Sequence, residues 1–150
     1  MRNRVQTEIT TMCMIYDGNK VLVQNRTDSS WPGISFPGGH VESGESFTES
    51  VIREIREETG LTIRHPVLCG LKDWENDDNS RYIVLFYKTN EFDGQLTSSQ
   101  EGDVFWVDKA NLPHYPLAPD FDDMYPMFFN DQVSEFFYRP TRDGWKKEIV

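Results

Sequence analysis

The chain has 150 residues, of which 37% are hydrophobic and 27% charged, and 25 acidic against 15 basic residues give a formal net charge of −10. This length favours one folded domain over residues 1–150. No apolar run reaches the roughly 18 residues that a membrane helix needs, and the lack of basic excess argues against long nucleic acid as a partner. The first residues lack the apolar stretch of a signal peptide. We therefore expect a cytoplasmic protein in which Cys13 and Cys69 are buried and reduced.

The first third of the chain predicts a β-hairpin followed by a loop. Residues 8–16 and 20–24 are strand-like and flank an Asp-Gly-Asn turn, which is the pattern of a hairpin. Residues 27–39 hold two prolines and three glycines, so we expect a loop with a short strand at 34–36.

The best-defined helix is predicted over residues 46–59. Ser46 and Glu49 form a capping box, and Gly60 supplies the stop. Apolar residues recur every four positions and should fix the helix to the sheet: Phe47, Val51 and Ile55.

The rest of the chain predicts more strands and a second helix. Strands are expected within 61–74, 81–88 and 104–107, and a helix over 120–130. The aromatic tail, residues 134–150, should pack on the domain or on a second subunit of a homodimer. This order of elements indicates an α+β fold, a mixed sheet with helices on its faces.

Three acids crowd one face of the first predicted helix. Glu54, Glu57 and Glu58 stand at i, i+3 and i+4, so their carboxylates are neighbours and repel one another. A hard divalent cation reverses the sign of that interaction, and an oxygen-only set suits Mg²⁺ or Mn²⁺. Gly38 and Gly39 let the backbone approach a metal or a phosphate closely. A solvated acidic helix would explain the charges but not these glycines.

Residues 39–61 match a complete motif, G-x5-E-x7-R-E-U-x-E-E-x-G-U, where U is aliphatic. Its positions are Gly39, Glu45, Arg53, Glu54, Ile55, Glu57, Glu58, Gly60 and Leu61. In this the chain resembles the Nudix hydrolases. The resemblance implies an α/β/α sandwich with a mixed sheet, a Nudix helix and a C-terminal helix.

The resemblance also implies a chemistry, the hydrolysis of a nucleoside diphosphate linked to another group with Mg²⁺ or Mn²⁺. Glu54, Glu57 and Glu58 resemble the metal ligands, and the Gly39 carbonyl resembles a further one. Glu45 and Arg53 are similar to supporting residues. Two residues remain candidates for the general base: Glu54 and Glu101.

Substrate recognition is implied by similarity to the MutT-like branch. Arg26 and Phe36, with the Gly38-Gly39 backbone beside them, resemble positions that touch the nucleotide. Asp122 and Asp123 either read the purine edge or are first-turn acids that the helix dipole favours. Two further rings are either base-stacking residues or sheet core: Trp74 and Tyr82.

The leading hypothesis is a nucleotide pyrophosphohydrolase that cleaves a nucleoside triphosphate to the monophosphate and pyrophosphate. The expected substrate is 8-oxo-dGTP or a related oxidised purine nucleotide. ADP-ribose, dinucleoside polyphosphates, other deoxynucleoside triphosphates and capped RNA ends are alternatives within the same class. A Nudix-fold binding domain without catalysis, or an interaction module built on the aromatic tail, would belong to a different class.

Overall fold

The computed structural model describes residues 2–150. Within them lie eleven strands, two α-helices and two 3₁₀ segments. In chain order these are β1 (Thr7–Asp17), β2 (Lys20–Arg26), β3 (Gly33–Ser35), β4 (Gly38–His40), α1 (Phe47–Thr59), β5 (Leu61–Arg64), β6 (Val67–Glu75), β7 (Arg81–Thr89), β8 (Glu91–Gly94), β9 (Gly102–Asp108), a 3₁₀ segment (Lys109–His114), α2 (Phe121–Met124), a second 3₁₀ segment (Tyr125–Phe129), β10 (Glu135–Thr141) and β11 (Gly144–Ile149).

Most strands belong to one mixed sheet with the order β11-β10-β6-β7-β1-β2-β3. β4 pairs with β1 and β9 with β2, while β5 and β8 form a separate two-stranded sheet. The predicted hairpin is confirmed, since β1 and β2 pair antiparallel around the turn. Two pairings are parallel and join distant parts of the chain, β1 with β7 and β6 with β10.

The helix α1 follows its sequence signals at both ends. The Ser46 side chain accepts a hydrogen bond from the Glu49 amide at 3.0 Å, and Gly60 closes the helix at φ 77°. Val51 and Ile55 are fully buried, as predicted. Phe47, predicted to join them, is 42% exposed. That prediction is wrong. Phe47 is the first residue of the helix and belongs to neither core of the sheet.

The two faces of the sheet carry separate cores. Side chains alternate along a strand, so Cys13 and Ile15 of β1 pack in the core that contains α1, whereas Met12 and Met14 pack in the other. The second core contains α2 and the neighbouring 3₁₀ turn. Cys13 is buried as expected, but Cys69 is only half-buried. No helix in residues 2–150 is long and apolar enough to cross a membrane.

The C-terminal region departs from the prediction of a helix over 120–130. Only Phe121–Met124 is α-helical, and the chain continues as 3₁₀ through Phe129. Pro126 has no amide hydrogen for an α-helical bond. The aromatic tail forms the β10–β11 hairpin on the edge of β6. Phe136 is fully buried there, which confirms packing on the domain, while Trp145 is 50% exposed.

Candidate active site

A cavity of about 590 Å³ opens beside β1, β4 and α1. This volume lies within the range of small-molecule sites. Two chemically different sets of side chains line the cavity. One is acidic, namely Asp28, Glu42, Glu54, Glu58 and Glu101, and the other is aromatic and basic, namely Arg26, Trp31, Phe36, Trp74 and Tyr82.

Glu58 is the most buried of these acids, with 5% of its surface exposed. Its Oε2 accepts a hydrogen bond from the Gly38 amide at 2.9 Å. Burial, together with repulsion from Glu54 and Glu101, raises the pKa of Glu58 to about 8 despite that bond. Burial also raises the pKa of Glu54, although Arg53 lies beside it. The cations of the cavity therefore do not offset the effect of burial on these two carboxyl groups.

Arg53 organises the carboxylates along one side of α1. It binds Glu45 with two nitrogens, Nη2 at 2.7 Å and Nε at 3.0 Å. Its Nη1 donates to Glu54 at 2.9 Å and to Glu57 at 3.2 Å, and its Nη2 also reaches the His40 carbonyl at 3.0 Å. The bidentate bond holds the pKa of Glu45 at about 2. These contacts fix the side chain of Glu54 and also tie Arg53 to the end of β4.

The two glycines of β4 are required by close approach. A Cβ on Gly39 would lie 2.3 Å from the Glu54 carboxyl carbon, and one on Gly38 would lie 1.9 Å from the Thr11 carbonyl oxygen. Gly38 therefore excludes a side chain, and a side chain at Gly39 would displace the Glu54 carboxylate. The Gly39 backbone and the Glu54 carboxylate share one small volume as a result.

Known proteins resemble this chain over most of its length. A family model described as NUDIX domain matches residues 6–128. An uncharacterized Nudix hydrolase of Bacillus subtilis, YvcI, is 35% identical over 114 residues, which are 73% of this chain and 71% of that protein. This chain belongs to the Nudix hydrolase family. The helix α1 is its Nudix helix.

Two further proteins are similar to this chain, one in sequence and one in structure. An ADP-ribose pyrophosphatase of Methanocaldococcus jannaschii is 32% identical over 67% of this chain, and the match spans 61% of that protein. The crystal structure of a mutator MutT protein from Bacillus halodurans superposes with a TM-score of 0.73 at 28% identity, covering 95% of this chain and 94% of that one. The expected Nudix-type α+β sandwich is thereby confirmed.

Nudix hydrolases generally use a divalent metal such as Mg²⁺, and the residues present fit one. Among residues 2–150, no three acidic, histidine or cysteine side chains are already gathered into a metal-binding group. The donor set is nevertheless all oxygen, as Mg²⁺ prefers. Glu54 and Glu58 are buried without enough cationic charge, and the Gly39 backbone stands against Glu54 where a Cβ would not fit. Glu57 lies outside the cavity lining and is 59% exposed beside Arg53.

The residues predicted to bind substrate divide into two groups. Arg26 lines the cavity, and its buried Nε has no hydrogen-bond partner among residues 2–150. Phe36 borders the cavity but is fully buried, with its ring 4.9 Å from Phe121 and 5.1 Å from Phe128. The rings enclosing Phe36 belong to the core, so its predicted stacking on a base has little room.

Asp122 and Asp123 are not brought to the cavity. Both are exposed on the first turn of α2, and Asp123 accepts a hydrogen bond from Lys147 at 2.9 Å. The preceding residue, Asp120, is the acid that turns inward. It pairs with Lys147 and accepts a hydrogen bond from the Tyr138 hydroxyl.

Sequence reasoning missed one aromatic residue of the cavity, and for two others it left open whether they stack on a base or belong to the core. Trp74 and Tyr82 are stacked on neighbouring strands, with centroids 4.6 Å apart and planes 5° from parallel, and both border the cavity. Trp31 joins them from the loop before β3. The sequence does contain a signal for Trp31, because it is a large ring in a loop rich in Ser, Pro and Gly. Such a ring does not pack on a sheet as part of a strand or helix, which favours a role in binding.

Proposed function

We propose that this Nudix hydrolase is a Mg²⁺-dependent nucleoside triphosphate pyrophosphohydrolase that releases a monophosphate and pyrophosphate. The observation that carries the proposal is the cluster of Glu54, Glu58 and Glu101 in a cavity that also has an aromatic wall. The carboxylates suit a metal-bound polyphosphate, and the aromatic wall suits a base.

Each acidic residue has a separate role in this proposal. Glu54, Glu58 and the Gly39 carbonyl would hold the metal, with Glu57 as a further ligand from the rim. When bound, Mg²⁺ neutralises the polyphosphate and lowers the pKa of water. Arg53 keeps Glu54 in place, and Glu45 keeps Arg53 in place.

The general base is proposed to be Glu101. It lies just before β9, lines the cavity and acts electrostatically on both Glu54 and Glu58. Glu54 is the alternative, but Arg53 already donates a hydrogen bond to one of its oxygens. Glu101→Gln should lower kcat by roughly 100-fold or more, with KM nearly unchanged. Unchanged turnover would remove Glu101 from the reaction.

The substrate is proposed to be 8-oxo-dGTP or a related oxidised purine nucleotide. Supporting this choice, the MutT protein of Bacillus halodurans matches nearly the whole chain. ADP-ribose is the second candidate, because a relative of 32% identity is named for hydrolysing it. The two candidates share the pyrophosphate chemistry and differ in the nucleoside and in the group attached to the second phosphate.

The test is product release from a panel of substrates with Mg²⁺. The panel holds 8-oxo-dGTP, the four deoxynucleoside triphosphates, ADP-ribose and a dinucleoside polyphosphate. Glu54→Gln should abolish activity, and the matched control Glu49→Gln, an exposed acid on the same helix, should not change it. A preference for 8-oxo-dGTP with pyrophosphate as product supports the proposal. A preference for ADP-ribose would replace the substrate, and wild-type inactivity on the whole panel would overturn the enzyme activity proposed here.

A further inference from the structure

A lysine lies in the middle of the sheet, on the face that borders the cavity. Lys72 of β6 is 2% exposed. It pairs with Val84 of β7, and Trp74 pairs with Tyr82. Directly opposed residues of antiparallel strands share a face, and Val84, Trp74 and Tyr82 all line the cavity. The side chain of Lys72 therefore belongs to the same face.

The ammonium group of Lys72 lies among aromatic rings. Its Nζ is 5.0 Å from the Trp31 ring centroid and 5.7 Å from that of Trp74. Within residues 2–150 no hydrogen-bond acceptor or ion-pair partner contacts this nitrogen. The nearby acid, Asp120, already pairs with Lys147 and Tyr138. Burial lowers the pKa of Lys72 to about 8.

A buried ammonium without an acceptor is costly, and it is retained here beside an aromatic wall. Lysine offers three donors and no acceptor. A purine with a 6-oxo group presents an acceptor at O6, whereas a 6-amino purine presents a donor at the same position. The aromatic rings around Nζ supply the surface on which such a base could lie.

We infer that Lys72 is a specificity-determining residue of this Nudix site, which donates a hydrogen bond to the 6-oxo group of a purine held beside Trp31 and Trp74. The inference rests on the proposed function in one respect, that a nucleotide base occupies this part of the cavity. It adds a selection for 6-oxo over 6-amino purines. Oxidation at C8 leaves O6 in place, so guanine and 8-oxoguanine both satisfy Lys72.

A phosphate contact is the competing role for a cation, and the charge layout disfavours it. Arg26 acts electrostatically on both Glu58 and Lys72, and therefore lies near each of them. Its unpartnered Nε makes Arg26 the cation suited to a phosphate beside the carboxylates. Lys72 is surrounded by Trp31 and Trp74 instead.

The test measures binding without catalysis. dIMP and dAMP differ at position 6 and both lack a 2-amino group, so they are matched probes. Quenching of tryptophan fluorescence, in EDTA, reports their affinities because Trp31 and Trp74 adjoin Lys72. Wild type should bind dIMP about tenfold more tightly than dAMP. Lys72→Met should reduce that ratio to about twofold or less, Lys72→Arg should keep most of it, and the exposed-site control Lys146→Met should leave it unchanged.

The same variants separate the other outcomes. An equal affinity of wild type for the two probes, no binding of either, or an unchanged ratio in Lys72→Met would each overturn the inference. An equal loss of affinity for dIMP and dAMP in Lys72→Met would overturn the inference and assign Lys72 a structural role. Weaker competition by inorganic triphosphate in Lys72→Met would make it a phosphate contact. If wild type shows the dIMP preference but hydrolyses no nucleoside triphosphate, the proposed function fails and the role of Lys72 stands.

Discussion

Glu58 lowers the stability of the folded protein while serving the proposed metal site. Its carboxyl is buried beside two other acids, and the hydrogen bond from the Gly38 amide and the charge of Arg26 do not offset the effect of burial on its ionised form. Burying a charge without a counter-charge costs free energy of folding. Without a bound cation this cost lowers the stability of the folded protein, and a bound divalent ion would remove it.

Glu58→Gln should therefore change activity and stability in opposite directions. Glutamine keeps an oxygen for the Gly38 amide and removes the charge. We expect metal-dependent turnover to fall roughly 100-fold or more, while the Tm in EDTA rises by about 2–4 °C. Product release and thermal melts measure the two effects. A lower Tm together with lost activity would mean that Glu58 acts mainly as a structural residue, and Glu49→Gln serves as the surface control.

The adjacent glycines should respond differently to the same substitution. In Gly39→Ala the new Cβ meets the far end of a flexible side chain, Glu54, whereas in Gly38→Ala it meets the backbone of Thr11. We expect Gly39→Ala to lose most of its activity with a small change in Tm. Gly38→Ala should lower the free energy of unfolding by several kcal/mol, on the order of 2–4. Equal melts for the two variants would contradict this difference.

At the scale of elements, local sequence signals predicted some parts well and others poorly. The caps and periodicity of α1 and the turn between β1 and β2 depend on neighbouring residues, and both were predicted. The parallel pairing of β10 with β6 joins residues far apart in the chain, which periodicity does not report. Lys72 was missed for the same reason, because only the register with Val84 places it on the sheet face that borders the cavity.

The junction of β6 with β10 has a pH-sensitive acid. Asp73 accepts a hydrogen bond from Arg81 at 3.1 Å through one oxygen, and its other oxygen is buried without a partner. Burial and the neighbouring Glu135 carboxyl raise the pKa of Asp73 well above its usual range, against the effect of Arg81. At pH values between the unfolded and folded pKa values, Asp73 is therefore protonated in the folded state and ionised in the unfolded chain.

This acid should make the protein less stable as the pH rises. A raised folded-state pKa means that the stabilisation is complete below the unfolded pKa, which is about 4, and is lost as the pH passes through the folded value. We expect the free energy of unfolding to decrease between about pH 4 and pH 7, and Asp73→Asn to reduce that slope. Urea melts at several pH values measure it. An identical slope in Asp73→Asn and wild type would exclude Asp73 as the source, and Asp131→Asn provides an exposed control.

At the scale of the whole molecule, the two thiols report how well the cores exclude solvent. Full burial raises the pKa of Cys13 far above its usual range, and partial burial raises that of Cys69 to about 11. Thiolates are the reactive form. With a disulfide-exchange reagent near pH 7.5, we expect Cys13 to be inert and Cys69 to be slow in the native protein, and both to react at once in denaturant. Rapid labelling of Cys13 in the native state would mean that the α1-side core opens readily.

The parallel pairing of β1 with β7 also has a consequence for the rate at which the protein folds. The Thr10 hydroxyl donates a hydrogen bond to the Ile83 carbonyl across 73 positions of sequence, and a contact of this range must close a long loop before it returns any free energy. The capped helix and the first hairpin need no such closure. In refolding experiments the helical signal should accordingly return before the cavity does, since Thr10 and Val84 line it from those two strands.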